Sequence, residues 1–240
     1  MHEISVILID YAVDKSRPGR LIQVIAVGDE KWQAWPPLLR AVYQIMQLQK
    51  LVNMFGGDLM RRYGEKVHKL TLHGGFSCPN RDGTLGRGGC TFCNVASFAD
   101  EAQQHRSIAE QLAHQAQLVN RAKRYLAYFQ AYTNTYAELE GLKRKYEEAL
   151  AVDGVVGLVI GTRPDCMPES LLRYLEDLNK HTFLMVEYGI ESTCDETLKR
   201  INRGHTYADT VEAVCQTAAC GILTGGHIIL GLPGETHDTM

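Results

Sequence analysis

Cys78-Pro79-Asn80-Arg81-Asp82-Gly83-Thr84-Leu85-Gly86-Arg87-Gly88-Gly89-Cys90-Thr91-Phe92-Cys93 puts three cysteines into one short run, spaced C-x11-C-x2-C. Between the first two lie a proline, an asparagine, an aspartate and four glycines. Glycine has no preferred sign of φ and proline has no N–H, so this segment is expected to be a loop that continues neither helix nor strand. A loop can wrap around a centre. The C-x2-C pair lets two sulfurs grip it, and the flexible stretch brings Cys78 to the same place.

By spacing alone the centre stays open. A structural zinc wants four ligands, and His73 or His105 is available as the fourth. A disulfide would pair two thiols and strand one, with no secretory context to favour it. An iron–sulfur cluster commonly takes four cysteines. With three, one iron keeps an open position where a substrate can bind, which favours a reactive cluster over a structural one.

Cys90-Thr91-Phe92-Cys93, with its aromatic before the last cysteine and Cys78 upstream, resembles the radical S-adenosylmethionine (radical SAM) superfamily. The usual spacing there is C-x3-C-x2-C, and the first gap here is longer. The runs His73 to Thr84 and Gly86 to Asn94 resemble the YhcC-type branch, related to the radical SAM domain of the elongator catalytic subunit, which tolerates the long gap. The resemblance implies that Cys78, Cys90 and Cys93 hold three irons of a [4Fe–4S] cluster and that S-adenosylmethionine chelates the fourth. It further implies that an electron from the cluster, supplied by a donor such as flavodoxin or ferredoxin, cleaves that cofactor to a 5′-deoxyadenosyl radical. That radical then abstracts hydrogen from a substrate. The substrate is not written in the motifs; tRNA and a small molecule are both carried forward. A rival of another class is a zinc-stabilised nucleic-acid-binding module without catalysis, distinguished by metal content. A second rival keeps the cluster without turnover.

The same resemblance assigns further positions. Phe92 packs near the adenine. Gly225 to Gly234 resembles the fifth-strand motif, where backbone at Ile228 and Gly231 meets that ring. Glu187, ahead of Gly189-Ile190-Glu191-Ser192, belongs to the region contacting ribose and carboxylate. Arg203, within Ile201-Asn202-Arg203-Gly204-His205-Thr206, meets the cofactor carboxylate. Many relatives carry Gly-Gly-Glu after the second strand to bind the amino group; this chain lacks it, and Asn134 with Thr133 and Thr135 are the substitutes. Each has a plainer reading. Phe92 is loop packing, Arg203 belongs to a helix C-cap with Gly204, and Glu187 is a salt bridge, because a charge in an apolar strand is costly unless paired. Cys166, Cys194, Cys215 and Cys220 lack ligand spacing and read as small hydrophobes. No catalytic side chain is singled out.

Composition sets the bounds. With 240 residues and 45% apolar, the chain can bury one sizeable core. A formal charge of −3, from 25 basic and 28 acidic residues, does not advertise a nucleic-acid surface, although a local patch needs no global excess. No apolar run is long enough to span a membrane. Met1-His2-Glu3-Ile4 lacks a basic stretch ahead of a hydrophobic one, so no signal peptide is expected. Seven cysteines without export suit the reducing cytoplasm.

Along the chain, Val6–Ile9 and Leu21–Val27 flank a turn signal at 14–19 and predict a hairpin. The resemblance begins at Met46. Residues 1–45 are therefore expected to be a non-native, dispensable extension, with the core at 46–240. From Lys66 strands and helices alternate: strands at Val67–Leu72, Tyr125–Tyr132, Val155–Ile160, Phe183–Ile190 and Ile222–Leu230. A capping box at Ser107–Glu110 opens a helix with an apolar stripe running to Ala122. Five β–α steps with buried strands predict a parallel sheet with its ligand site at the strand C-termini. The resemblance makes this α/β fold a partial (β/α)6 TIM-like barrel. It is expected to be C-terminally incomplete in this chain, with the outer edge of the fifth strand unpaired.

Overall fold

A computed structural model describes residues 54–95, 101–119, 123–236 and 238–240, and the backbone of 5–12 and 21–26. The turn at 14–19, the boundary at Met46 and Ala122 lie outside the described residues. β1 (Ser5–Ala12) and β2 (Leu21–Ala26) pair antiparallel, the hairpin that the two β-prone runs predict. Five further strands follow: β3 (Val67–Leu72), β4 (Arg124–Phe129), β5 (Val155–Thr162), β6 (Phe183–Glu191) and β7 (Leu223–Leu230). Each pairs in parallel with the next. The full sheet runs β2-β1-β7-β6-β5-β4-β3.

Parallel neighbours need crossovers, and helices supply them. After α1 (Phe55–Tyr63) and the single turn α2 (Pro79–Asp82) come α3 (Ile108–Leu118), α4 (Leu139–Leu150), α5 (Glu169–Leu178), α6 (Asp195–Arg200) and α7 (Tyr207–Ala219). The capping box is present at the start of α3, with the Glu110 N–H donating to Ser107 Oγ at 3.1 Å and the Ser107 N–H to Glu110 Oε2 at 2.8 Å. α3 closes at Leu118, short of the expected stripe. A second capping box, Thr206 with Asp209, starts α7.

Alternation along the strands sorts the core into two faces. Leu70, Leu72, Ala127, Phe129, Leu158, Ile160, Leu184 and Val186 point outward and pack against helix residues such as Ile108, Leu142, Tyr146 and Leu171. Leu126, Tyr128, Val159, Phe183 and Met185 point inward, where Phe55 and Leu59 of α1 join them. α1 thus plugs the lower part of the half-barrel, leaving the strand C-termini as the open mouth. This is the partial (β/α) barrel expected.

Three local expectations change. The loop after Cys78 contains a helical turn, α2, because proline at the first helical position loses nothing by lacking an N–H. β4 ends at Phe129 rather than Tyr132, whose φ of 64° is left-handed and cannot continue a strand. The outer edge of β7 is not bare: Ser5 to Tyr11 of β1 lie antiparallel along it, from Ser5 opposite Leu230 to Tyr11 opposite Thr224.

Removing residues 1–26 takes away that partner and exposes a row of N–H and C=O groups. The expected outcome is faster aggregation on heating, read by light scattering at matched concentration. Equal behaviour of the shortened and full chains would show that the hairpin is dispensable to the edge.

Candidate functional site

The cysteine loop leaves the mouth end of β3. Cys78 caps α2, with the N–H groups of Arg81 and Asp82 donating to its carbonyl at 2.8 and 3.1 Å. The loop folds back on that turn, Gly89 N–H donating to Asn80 O at 2.9 Å, and a tight turn follows, Cys93 N–H donating to Cys90 O at 3.0 Å. All three thiols are free. They line one cavity of about 350 Å³, together with Phe92, Tyr132, Glu187, Glu191, Arg203, His227 and others. A larger groove of about 630 Å³, bordered by α7 and residues 164–168, carries none of the three, so the chemistry places the site in the smaller one.

A clamp from across the sheet holds the loop. Asn80 Nδ2 donates to the carbonyls of Asn202 at 2.7 Å and Arg203 at 2.8 Å. Asn202 Nδ2 donates to Gly89 O at 2.8 Å, and Thr91 N–H to Ile201 O at 3.0 Å. Arg163, buried, donates to Arg203 O at 2.7 Å while its fork grips the Asp165 carboxylate at 2.9 and 2.7 Å. Arg203 is also buried. Its guanidinium reaches Gly189 O at 2.6 Å, His205 Nε2 at 2.9 Å and Cys90 Sγ at 3.7 Å, with Glu191 at 3.6 Å. Because Arg203 Nε can only donate, His205 Nε2 accepts and the ring is neutral. Burial and the Arg203 charge both push the His205 pKa down, in agreement. Two glycines make room: a Cβ on Gly189 would sit 2.4 Å from Arg203 Nη2, and one on Gly204, with φ of 80°, 2.5 Å from Asn80 Oδ1.

The cavity floor is ionic. Glu187, 1% exposed, bonds Lys69 of β3 and His227 of β7, the latter at 3.0 Å. Lys69 Nζ also lies 4.5 Å from the Tyr128 ring centroid and 5.2 Å from that of Phe55, joining the floor to the plug. Burial alone would raise the Glu187 pKa, but the His227 hydrogen bond and the Lys69 charge outweigh it and hold the pKa at about 2. Burial pulls the His227 pKa down, and the Glu187 hydrogen bond and charge turn the net shift upward.

Of the expected residues, Cys78, Cys90, Cys93, Phe92, Glu187 and Arg203 line this cavity. Phe92 packs on the buried cluster of Leu198, Ile201, Ile229 and Leu232. Asn134 does not line it. It is fully buried, its amide donating to Phe129 O at 3.1 Å and Gly161 O at 2.7 Å, while Thr133 reaches the cavity wall. Ile228 and Gly231 also stay outside the lining, while His227 and Ile229 on the alternate face reach it. Arg81, Lys69 and His227 escaped the expected set. For His227 the signal was present, an imidazole inside an apolar strand, the criterion that singled out Glu187, whereas Lys69 shares a half-polar strand with His68 and Thr71. Among the described residues, the non-glycine positions with left-handed φ are Tyr132, Glu191 and Asn202, all at this cavity or its clamp. Backbone held in that region marks sites that the surroundings over-determine.

Donors reach two of the three sulfurs: Arg81 Nη2 lies 3.4 Å from Cys93 Sγ, and Arg203 Nη1 and Asn80 Nδ2 approach Cys90 Sγ at 3.7 and 3.5 Å. N–H groups aimed at sulfur suit thiolates. His73 Nδ1 accepts from Gly75 N–H at 3.1 Å, and His105 sits on a 3₁₀ turn beside Gln104. Among the described residues no three His, Cys, Asp or Glu side chains gather at single-ion spacing. One zinc needs its ligands converged on a point. A cubane seats its thiolates on separate corners, so three thiols spread around one cavity fit it better.

The family model described as the radical SAM superfamily matches residues 78–240. Protein YhcC of Escherichia coli (strain K12) is 64% identical over 191 residues, covering 79% of this chain and 62% of that protein. YtqA of Bacillus subtilis (strain 168), itself uncharacterized, is 44% identical over 196 residues, 80% of this chain and 61% of that one. The tRNA-2-methylthio-N(6)-dimethylallyladenosine synthase of Jannaschia sp. (strain CCS1) is 29% identical over 160 residues, 62% of this chain and 34% of that one. The chain thus spans under two thirds of the length of these relatives.

Two outcomes follow from the clamp and the floor. Gly204→Ala forces a side chain into a left-handed position, about 1–2 kcal/mol, and displaces Asn80; a lowered melting temperature is expected, and an unchanged one would contradict the clamp. Glu187→Gln leaves Lys69 and His227 without their counter-charge, a loss of roughly 3–5 kcal/mol. Because the Glu187 pKa is depressed, its contribution is present above the ordinary glutamate range and fades as pH falls toward about 2. That of His227, whose pKa is raised, is full below the ordinary imidazole value and fades as pH rises through the folded one. Urea unfolding against pH should therefore flatten at both ends in the variant; an unaltered profile would contradict the pairing.

Proposed function

Since the chain belongs to the radical SAM superfamily, we propose that Cys78, Cys90 and Cys93 hold a [4Fe–4S] cluster. Once bound, that group supplies the electron that reductively cleaves S-adenosylmethionine and yields a 5′-deoxyadenosyl radical for hydrogen abstraction. The observation that carries this reading is the set of three free thiols lining one cavity at the mouth of the barrel, with guanidinium N–H groups directed at two of the sulfurs.

The chain's own residues bind, orient and exclude water. The clamp keeps Cys90 in place through Arg203, directed at its sulfur, and through the bonds made by Gly89 and Thr91 on either side of it. Phe92 and the apolar cluster beneath it, with Ile229 in the cavity lining, close one wall against water. Glu187 is shielded, and it acts on the cavity by holding the His227 ring through Nε2. With Nε2 taken by Glu187 and His227 in the cavity lining, Nδ1 is the ring nitrogen left to hydrogen-bond a substrate.

The Jannaschia relative is named for a tRNA product, which makes a tRNA nucleoside the substrate class to test first. The setting proposed is the cytoplasm, with a one-electron donor such as flavodoxin or ferredoxin. Among the described residues no helix is long and apolar enough to cross a membrane.

Anaerobic reconstitution should give about four irons and four acid-labile sulfides per chain, and 5′-deoxyadenosine on adding S-adenosylmethionine and a strong reductant. Cys78→Ala, Cys90→Ala and Cys93→Ala should each abolish both, while Cys215→Ala should abolish neither. Full iron occupancy in the Cys90 variant would overturn the ligand assignment. Stoichiometric zinc without iron would overturn the function.

A further inference from the structure

Arg203 commits three of its five N–H groups within the protein. Its Nε serves His205, its Nη2 serves Gly189 O, and its Nη1 is directed at Cys90 Sγ. Arg81 does the same at Cys93, giving one N–H to the sulfur and sharing it with the Cys93 carbonyl at 3.3 Å. Its side chain is steadied by the Tyr132 ring, 5.6 Å from guanidinium carbon to centroid. Of the three thiols, Cys78 receives no guanidinium hydrogen bond among the described residues, whereas Cys90 and Cys93 each face one. Asn80 does not substitute for Arg203 at Cys90. Its two amide hydrogens already go to the shorter contacts with Asn202 O and Arg203 O.

Net charge, hydrogen bonds to sulfur and solvent exposure set the potential of an iron–sulfur centre, and outer partners tune a metal as well as orient its ligands. Each reduction adds one negative charge to the centre, and a buried guanidinium beside its sulfurs favours the more negative state. Arg203 is 7% exposed, so its field is little screened. We propose that Arg203 and Arg81 are positioning residues that raise the reduction potential of the bound cluster through the Cys90 and Cys93 sulfurs. A one-electron carrier can then charge it. One electron passes from the carrier to the cluster, and no bond in the protein forms or breaks. The inference rests on the cluster reading above and goes beyond it, because it gives Arg203 and Arg81 a role toward the thiolates.

The test is the midpoint potential of the reconstituted full chain, followed by EPR in a redox titration, with iron and sulfide counted on each sample. Arg203→Gln and Arg81→Gln should each shift the midpoint to more negative values, and together shift it further. Arg203→Lys keeps the charge but loses the fork, and should shift it less than Arg203→Gln. Should Arg203→Gln fail to load because the clamp opens, Arg81→Gln, on the looser side of the site, decides alone. Loaded variants with the wild-type midpoint overturn the inference and leave the cluster reading standing. A wild-type chain that loads no cluster overturns the reading itself.

Discussion

A glycine-rich loop has no apolar face with which to hold itself, so the position of the three cysteines depends on hydrogen bonds brought from elsewhere. Those bonds come from the segment after α6. Asn202 and Arg203 receive Asn80 through their carbonyls, Asn202 returns an amide to Gly89, and Arg163 locks the Arg203 carbonyl from behind. A buried polar network of this kind rigidifies only when every member is satisfied. The requirement explains local features that are otherwise odd: the left-handed Asn202, the bare Cα of Gly204 against Asn80, and the neutral ring of His205 accepting from Arg203.

The barrel interior is graded along its axis. At the bottom α1 closes it with Phe55 and Leu59 against Phe183 and Met185. Midway, Lys69, Glu187 and His227 from three separate strands neutralise one another. Above them lie the thiols and the two guanidiniums. Burying Glu187 without partners would be prohibitive, and breaking a buried pair is costlier than never having built one. The floor is therefore a commitment of the fold, and it leaves His227 as the ring exposed to whatever occupies the cavity.

Much of this architecture can be read before any coordinates. The five strand cores, the Ser107–Glu110 cap and the cysteine loop follow from periodicity, capping chemistry and spacing. The departures have local causes. Proline at a helix start hid α2, and a left-handed Tyr132 cut β4 short. Side-chain pairing across the barrel was out of reach of spacing alone, because Lys69 and Glu187 are far apart in sequence and meet only when the sheet curls. The partner of β7 was likewise hidden: a hairpin pattern says that two strands pair, not which third strand they lie against. Asn134 shows the opposite limit, a polar residue in a suggestive place that the fold uses to stitch β4 to β5.

The central claim is that three thiolates, and no fourth protein ligand, hold a cluster with one iron left for the cofactor. EPR of the reconstituted, reduced chain before and after addition of S-adenosylmethionine tests it most directly. The expected result is a reduced-cubane signal whose shape changes on addition, and its absence from the Cys93→Ala chain. A signal indifferent to S-adenosylmethionine, or none at all from a chain carrying zinc, would contradict it.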